Sequence, residues 1–404
     1  MKIRKFLPTA FTAVLLAATV AVSSVDSRLP AAAPASATAD APYAARKDDT
    51  LDRMRGVWVT YMDLDMQSSP DKSESAFRAK FSAIAARCKS LGFNTLAVQV
   101  RPFCDALYSS RLFPASHILS GTQGESAGYD ALKIVCEVCR NEGLRVHAWV
   151  NPYRVATNDT PEKLSAEHPC VKDESMVLKT DSGIILDPSN EKARRLIIDG
   201  VMEIADNYPV DGVQFDDYFY PPDMDTQDSA AYEAYRSTVP QGKAMDTATW
   251  RVFNVNLLIS QTYLRLHQSH PEMVFGISPQ GNLSNNAQLS ADVVHWCGVK
   301  GFIDYICPQL YFSPDNPALG FEDALDDWLS LDYAEGVRLY AGLAGYKAGS
   351  DKDSGTWLTQ DDTLAQEYLI LQKNKKVSGF MLYSYASLND AQARQEIANL
   401  TAAL

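Results

Sequence analysis

The chain has 404 residues, of which 46 % are hydrophobic and 22 % are charged. This is the composition of an ordinary globular protein, and it excludes collagen, a coiled-coil rod and global disorder. The 50 acidic residues outnumber the 37 basic ones, so the net charge is −13. A surface of this sign repels phosphate groups, which argues against nucleic acid as a partner.

The N-terminus has the pattern of an export signal. Three basic residues lie among the first five, residues 6–22 are largely apolar, and Ala35-Ser36-Ala37 fits a cleavage site. The alternative interpretation is an uncleaved membrane anchor, although the apolar stretch is short for that and Pro8 interrupts it.

These features predict a signal peptide over residues 1–37 and a linker over residues 38–52. No cysteine lies just after the apolar run, so a lipid anchor is not indicated. No second apolar run of about 18 residues follows, so no stable membrane insertion is expected after the signal is removed. The protein is therefore expected to be secreted or associated with the cell envelope.

Seven cysteines are scattered through the rest of the chain. An odd number at irregular spacing is a poor disulfide framework. Cys136 and Cys139 have the spacing of a redox or zinc site, but they also share one face of a predicted helix with Leu132 and Val135. We therefore expect both to be buried as small hydrophobic side chains. No metal site and no cofactor are predicted.

From residue 55 onwards, strand-like segments alternate with segments of helical periodicity. The eight predicted strands are residues 56–61, 95–101, 145–151, 212–217, 274–278, 303–311, 338–342 and 379–385. Helical periodicity is clearest over 77–91 and 193–204 and weaker over 250–269, 288–300, 321–332, 361–374 and 389–400. Eight strand–helix pairs predict an α/β fold, a (β/α)8 TIM barrel over residues 53–404.

An open, doubly wound sheet is the alternative fold, but no G-x-G-x-x-G follows the first strand to support it. The predicted loops after strands 2, 3 and 4 are long, at about residues 102–128, 152–189 and 218–248. Loops of this length in a compact domain usually contribute to function.

Strand alternation indicates which side chains point into the barrel. The apolar face of each strand must pack under helices, so the polar face lines the lumen. On strands 2 to 4 that polar set is Gln99, Arg101, His147, Trp149, Asn151, Gln214 and Asp216, and other strands add Trp58, Thr60, Ser278, Gln309 and Tyr311. Burying these groups without a use is costly, which favours a functional site over a purely structural polar network.

Three of these residues, Arg101, Asn151 and Asp216, are the last lumen-facing positions of their strands. They are therefore expected at the C-terminal rim, where barrel active sites are assembled. An Asp216 carboxylate at the rim can attack an anomeric carbon or stabilise positive charge there. Asp217 would point away on a regular strand, and a helix cap or an ion pair is its alternative role. A bend at the strand end would instead place it beside Asp216, and repulsion would raise the pKa of one carboxyl.

The rim residues belong to a wider pattern of runs. These are Arg55-Gly56-Val57-Trp58, Gln99-Val100-Arg101-Pro102, His147-Ala148-Trp149-Val150-Asn151-Pro152-Tyr153-Arg154, Phe215-Asp216-Asp217-Tyr218-Phe219-Tyr220-Pro221, Gly276-Ile277-Ser278-Pro279 and Pro308-Gln309-Leu310-Tyr311. In this order, over roughly residues 53–385, the chain resembles the bacterial glycosyl hydrolase-like family 10. The resemblance implies a TIM-like barrel and a glycosidase that acts on a bacterial polysaccharide, with cell-wall glycan strands as a candidate substrate.

Two positions depart from the family pattern. Gln214 stands where the family commonly has His, which removes a titratable group beside Asp216 and puts in doubt any mechanism that needs it. Gln280 stands where the family commonly has Phe. The fourth strand also distantly resembles the D-G-x-D-x-D-x-E motif of chitinase-type barrels, but Tyr218 occupies the final acid position, which disfavours substrate-assisted chemistry.

We therefore expect a secreted glycoside hydrolase that uses two carboxyls, with Asp216 as nucleophile or anionic stabiliser and Asp217 as acid/base. The predicted substrate-binding residues are Trp58, Gln99, Arg101, His147, Trp149, Asn151, Tyr153, Arg154, Tyr218, Ser278, Gln309 and Tyr311. The expected partner is a polysaccharide or oligosaccharide.

Two other classes of protein remain open at this point. A non-catalytic polysaccharide-binding barrel would keep the aromatic loops without needing Asp216. A metal-dependent hydrolase such as a sugar deacetylase would need clustered His and carboxylate ligands. Of the six histidines, His147 alone is expected in the lumen, which disfavours that class.

Overall fold

The computed structural model of the protein describes residue 51 and residues 53–404. The predicted signal peptide, and the predicted linker apart from residue 51, lie outside the described residues. Within the described part of the chain, no helix is both long and apolar enough to cross a membrane.

Eight parallel strands form a closed barrel, each hydrogen-bonded to the strands before and after it in the chain. The first strand pairs with the eighth and closes the ring. In chain order, these first to eighth barrel strands are Met54–Val59, Thr95–Arg101, Arg145–Val150, Gly212–Phe215, Val274–Ile277, Tyr305–Ile306, Arg338–Leu343 and Val377–Tyr383. The predicted (β/α)8 barrel is therefore confirmed.

Helices cover the outside of the barrel. Those of nine residues or more are Glu74–Ser90, Ala131–Glu142, Glu191–Asn207, Ser229–Thr238, Thr247–Ser269, Phe321–Leu329, Thr363–Gln372 and Arg394–Ala403. Shorter α-helical segments are His117–Ser120, Pro169–Lys172, Val293–Gly298 and Lys352–Gly355. 3-10 segments are Glu174–Met176, Leu283–Leu289, Gly345–Lys347, Thr356–Leu358 and Tyr385–Leu388.

Helix Ala131–Glu142 shows how local sequence sets an element. Asp130 caps its first turn by accepting the backbone N–H of Lys133 at 3.0 Å. Gly143 ends it in the left-handed conformation at φ 65°. Cys136 and Cys139 are buried inside it, as the periodicity predicts.

Two predicted elements are shorter in the structure. The sixth strand was expected over residues 303–311 but is regular only at Tyr305–Ile306. Pro308 has no N–H to donate, so the ladder cannot continue through it. The helix expected over residues 288–300 is split in two, because Ser290 adopts φ 56° and interrupts it.

The long connection after the third strand folds into a sheet that the sequence analysis did not anticipate. It has three antiparallel strands, Arg154–Thr157, Val177–Thr180 and Gly183–Leu186, with the last of these in the middle. We call this the insertion sheet. It matters for the site because it lies at the C-terminal side of the barrel, where the third strand ends.

The lower lumen is filled rather than open. Tyr305 and Tyr340 pack there edge to face, with ring centroids 5.4 Å apart, and both are fully buried. Gly276 makes room for them, because a Cβ at that position would lie 2.0 Å from the Tyr305 ring. Within the described residues, the lumen is therefore filled at this level, which leaves the C-terminal mouth as the place where it can receive a ligand.

Candidate active site

Asp216 lies at the end of the fourth barrel strand, with 4 % of its surface exposed. Its Oδ2 accepts the indole N–H of Trp149 at 3.1 Å and also a side-chain N–H of Asn151. Asn151 is held in turn by Gln99, whose Nε2 donates to its Oδ1 at 2.6 Å. Side chains from the second, third and fourth strands thus meet at one carboxyl, as the strand parity predicts.

Asp217 faces the mouth as well, because the regular strand ends at Phe215 and the chain bends after it. Gln309 donates its Nε2 to Asp217 Oδ1 at 2.9 Å, and Gln280 donates to the other oxygen. Gln309 also donates to the carbonyl of Ser278 at 3.1 Å. Both oxygens of Asp217 are therefore acceptors, which favours its ionised form.

The two carboxyls differ in electrostatics. Burial, and then the neighbouring charge of Asp217, raise the pKa of Asp216 to about 7. Burial also raises the pKa of Asp217, while the hydrogen bonds from Gln309 and Gln280 act in the opposite direction. Burial and the charge of Asp217 thus favour a proton on Asp216, while the two amide donors favour ionisation of Asp217. The assignment of Asp216 as nucleophile or anionic stabiliser and Asp217 as acid/base stays a prediction.

A cleft of about 450 Å³ opens beside Asp217. Its walls come from the insertion sheet, the segment after the fourth strand and the 3-10 segment after the fifth strand. The lining residues are Arg154, Ala156, Thr157, Ser182, Gly183, Ile185, Asp217, Tyr218, Phe219, Tyr220, Pro221, Pro222, Gln280, Asn285, Gln288 and Leu289. Among the predicted site residues, Asp217, Arg154 and Tyr218 border this cleft directly.

Arg154 is fixed at the edge of the cleft by aromatic rings and a carbonyl. Its Nε donates to the carbonyl of Pro102 at 2.8 Å, and its guanidinium lies 4.7 Å from the ring centre of Phe103. On the cleft side the same guanidinium is 5.3 Å from the ring centre of Tyr218. Tyr218 is 54 % exposed, which leaves an accessible aromatic surface for the apolar face of a sugar ring.

A second aromatic group lies across the mouth. The rings of Tyr311 and Tyr383 are 5.8 Å apart, and the exposed Tyr346 is 5.8 Å from Tyr383. Trp58 lies below them, 6.1 Å from Tyr383. Tyr383 was not among the predicted site residues, although alternation on the eighth strand would have placed it in the lumen opposite Trp58. Gln280 was also not among the predicted site residues, although its side chain donates to Asp217.

Trp58 and His147 lie deeper in the lumen than expected for residues that touch substrate. The indole N–H of Trp58 donates to Gln214 Oε1 at 2.6 Å, and His147 Nδ1 is 2.9 Å from the hydroxyl of Tyr305. Burial lowers the pKa of His147 to about 3, so its ring is neutral. These two residues, with Gln214, form a buried polar layer beneath the mouth. Ser278 is also buried, and its backbone carbonyl positions Gln309.

The prediction that Arg101 faces the lumen is wrong. A register shift between Gln99 and Arg101 reverses the alternation and pairs Arg101 with the outward-facing Val150. The guanidinium lies over the ring of Phe113 at 4.7 Å and against Gly200 of helix Glu191–Asn207. Within the described residues it has no hydrogen-bond partner. It is therefore buried between barrel and helix, away from the cleft.

The expected role of Tyr153 is not supported either. Its side chain is fully buried and packs edge-on against Phe219, with ring centroids 6.5 Å apart. It supports the segments that border the cleft but does not line it.

A closed parallel barrel with paired carboxyls at its C-terminal mouth defines a class of carbohydrate-active TIM barrels. The family model of the glycosyl hydrolase-like 10 family matches residues 53–359. The chain therefore belongs to this family, within the broader class of glycoside hydrolases, and the resemblance found in the sequence is confirmed.

Relatives agree with this assignment. The chain is similar to glycosyl hydrolase YngK of Bacillus subtilis strain 168, with 33 % identity over 83 % of this chain and 69 % of the relative. It is also similar to glycosyl hydrolase DigH of Escherichia coli K12, with 29 % identity over 86 % of each chain. Among solved structures it shares the fold of the PgaB (BpsB) glycoside hydrolase domain from Bordetella bronchiseptica. That match has a TM-score of 0.56 and 13 % identity, and covers 86 % of this chain and 99 % of the domain.

Proposed function

We propose that this protein is an exported enzyme that hydrolyses O-glycosyl bonds of a bacterial polysaccharide, with peptidoglycan glycan strands as the first substrate to test. The observation that supports hydrolysis most strongly is the pair of adjacent carboxyls at the barrel mouth, Asp216 and Asp217. They sit in different hydrogen-bond environments, which is the condition for one to keep a proton while the other is ionised.

In this proposal Asp216 and Asp217 take different roles in breaking the glycosidic bond. Asp216, whose pKa is about 7, would give its proton to the glycosidic oxygen as the bond to the anomeric carbon breaks. Asp217, ionised between two amide donors, would attack the anomeric carbon or take a proton from the attacking water. Both routes end with water added across the glycosidic bond.

The cleft supports a saccharide as substrate. Tyr218 offers an exposed ring to stack on a sugar face, while Gln280 and Arg154 supply donors for hydroxyl groups. Apolar side chains such as Ile185 and Pro221 also line the cleft. A wall of this kind suits a sugar with an apolar face or an acyl substituent better than a highly charged polymer.

The test is hydrolysis by purified protein, assayed on peptide-free peptidoglycan strands, on chito-oligosaccharides, and on several plant and storage polysaccharides. Asp216→Asn and Asp217→Asn should each lose most of the turnover, while Asp327→Asn, an exposed position on helix Phe321–Leu329, should not. Wild-type binding without turnover, and unchanged affinity in Asp216→Asn, would favour a non-catalytic binding barrel. Turnover of a plant or storage glycan alone would reject the peptidoglycan substrate and keep the enzyme class.

Export is a separate part of the proposal. It rests on the sequence pattern of residues 1–37. Fractionation of cells that produce the full chain, followed by N-terminal sequencing of the mature protein, tests it directly. A mature chain that begins at residue 38 outside the cytoplasm is expected. An intact chain in the cytoplasm would reject it.

A further inference from the structure

Two cysteines and a histidine meet in the interior, outside the proposed catalytic site. Cys104 follows the second barrel strand, and Cys170 belongs to the short helix Pro169–Lys172 within the insertion after the third strand. One donor atom from each of Cys104, His168 and Cys170 lies within 4.8 Å of the other two, and all three residues are buried. Among the described residues, this is the one such group of three or more histidine, cysteine or acidic side chains.

We propose that Cys104 and Cys170 form a disulfide bond that ties the insertion to the loop after the second barrel strand. Both thiols are free in the structure, and their Sγ atoms lie within 4.8 Å of each other. The two sulfur atoms are therefore neighbours in the fold, and the bond requires the side chains to turn until the sulfurs approach to about 2 Å. The bond would fix the segment that leads into the insertion sheet, one wall of the cleft.

The state of His168 favours a thiolate over a metal site. The backbone N–H of Cys170 donates to His168 Nδ1 at 3.1 Å, so a proton on the neutral ring must lie on Nε2. A ring that accepts at Nδ1 and has its proton on Nε2 has no lone pair left for a metal ion. Burial alone would lower the pKa of His168, but the contact with Cys104 raises it above its usual value.

Cys104 is the natural attacking sulfur. The hydrogen bond from Cys170, and then the contact with His168, lower the pKa of Cys104 to about 5, although burial opposes this. The same hydrogen bond raises the pKa of Cys170. With Nδ1 accepting from the backbone, the Nε2–H of the neutral His168 ring is the donor left to stabilise a thiolate at Cys104.

The bond would form by thiol–disulfide exchange late in folding, when Cys104, His168 and Cys170 have come together but a donor disulfide can still reach them. The Cys104 thiolate attacks one sulfur of a donor disulfide, such as glutathione disulfide, and the other sulfur leaves as a thiolate that takes a proton. Cys170 then loses its proton and attacks the mixed disulfide at Cys104, releasing the second donor thiol. Two protein thiols and one donor disulfide become one protein disulfide and two donor thiols.

The other cysteines serve as internal controls. Cys136 and Cys139 are three positions apart in helix Ala131–Glu142, and burial raises the pKa of each. They have the C-x-x-C spacing but lack a thiolate-stabilising partner like His168. We therefore expect them to stay reduced under the conditions that oxidise Cys104 and Cys170.

The first test is peptide mapping of full-length protein refolded in a mixture of reduced and oxidised glutathione. After unfolding and alkylation with iodoacetamide, Cys104 and Cys170 should be recovered as one cross-linked pair, lighter by two hydrogen atoms and unalkylated. Cys136 and Cys139 should be fully alkylated. Complete alkylation of Cys104 and Cys170, or a bond to another cysteine, would overturn the proposal. So would one tightly held zinc ion per chain, measured on the folded protein before it is unfolded.

The second test is the effect of a reductant on the Tm. It compares each protein with and without reductant, so a variant that is less stable overall does not confuse the result. Dithiothreitol should lower the Tm of the oxidised wild-type protein by about 5 °C, as expected for a bond that closes a loop of this length. The Cys136→Ser variant should show the same drop, and Cys170→Ser should show none. A reductant effect that persists in Cys170→Ser would assign it to a different pair and reject this one.

Discussion

Asn151 and Asp216, on neighbouring barrel strands, are joined by a side-chain hydrogen bond in which the amide N–H of Asn151 donates to Oδ2 of the carboxyl. The same amide accepts a hydrogen bond from Gln99 through its oxygen, so its orientation is fixed. Its N–H group therefore always faces Asp216. This makes Asn151 a positioning residue whose loss should alter the titration of Asp216 as well as its placement.

The Asn151→Ala variant should lower kcat by about a hundredfold, because a carboxyl displaced by about 1 Å loses its alignment with the scissile bond. Loss of the donor should also raise the pKa of Asp216, so the alkaline limb of the pH–rate profile should move to higher pH. The measurement is kcat/KM against pH for wild type and variant. A lower rate with an unmoved alkaline limb would mean that Asn151 has only a structural role.

The wild-type pH profile should itself reflect the two carboxyls. Asp216 must keep its proton in the proposed mechanism, so activity should be lost as the pH rises through about 7. Asp217 must be ionised, and its pKa is raised by burial, so the acidic limb should lie above the usual range for an aspartate. An alkaline limb above pH 9 would contradict the assignment of Asp216 as proton donor.

Arg101 offers a test of the corrected placement. Because its buried guanidinium has no hydrogen-bond partner among the described residues, Arg101→Met should raise the free energy of unfolding by about 1–3 kcal/mol. KM for the substrate should not change, since the side chain packs under helix Glu191–Asn207. Chemical denaturation and steady-state kinetics on the same preparation measure both. A severalfold rise in KM with unchanged stability would restore the lumen-facing assignment.

A buried acid that does not line the cleft predicts an effect on stability. Glu367 is fully buried, and within the described residues neither of its carboxyl oxygens has a hydrogen-bond partner. Burial, and then the nearby Glu396, raise its pKa well above the usual value. The folded state therefore binds the Glu367 proton more tightly than the unfolded state does. As a result, the free energy of unfolding falls as the pH rises from the unfolded pKa of this group through its folded pKa.

Glu367→Gln should therefore be more stable than wild type at pH 8, by about 1–3 kcal/mol, and show no gain at pH 4. Urea denaturation at both pH values measures this difference. Glu322→Gln, at an exposed position on helix Phe321–Leu329, is the matched control and should show no such pH dependence. An equal gain for Glu367→Gln at both pH values would show that ionisation is not the cause.

The sequence was sufficient to predict the barrel fold and many of the residues at its mouth. Hydrophobic alternation fixes which face of a strand packs under helices, so Gln99, Asn151 and Asp216 could be placed in the lumen before any coordinates. The same rule failed at Arg101, because a one-residue irregularity in the strand reverses the alternation and leaves no mark in the hydrophobic pattern.

The sequence also did not predict how deep in the lumen each side chain lies. His147 and Trp149 share a face of the third strand, yet Trp149 reaches Asp216 and His147 bonds to Tyr305 below. Alternation gives the face but not the layer, which depends on how the strands are staggered around the ring. Contacts between distant segments, such as that of Cys104 with Cys170, were likewise invisible to local periodicity.

The insertion sheet has a consequence for how such a protein can diversify. Its three strands hydrogen-bond to one another and not to the barrel ring, so the half-buried residues of Gly183–Leu186, Ile184 and Ile185, can change without disturbing the closed ladder beneath. Ile185 lines the cleft from this sheet, whereas Asp216 and Asp217 stand on the ring. If Asp216 and Asp217 act as proposed, selectivity for one glycan over another can evolve on the insertion sheet while the proposed catalytic pair stays unaltered.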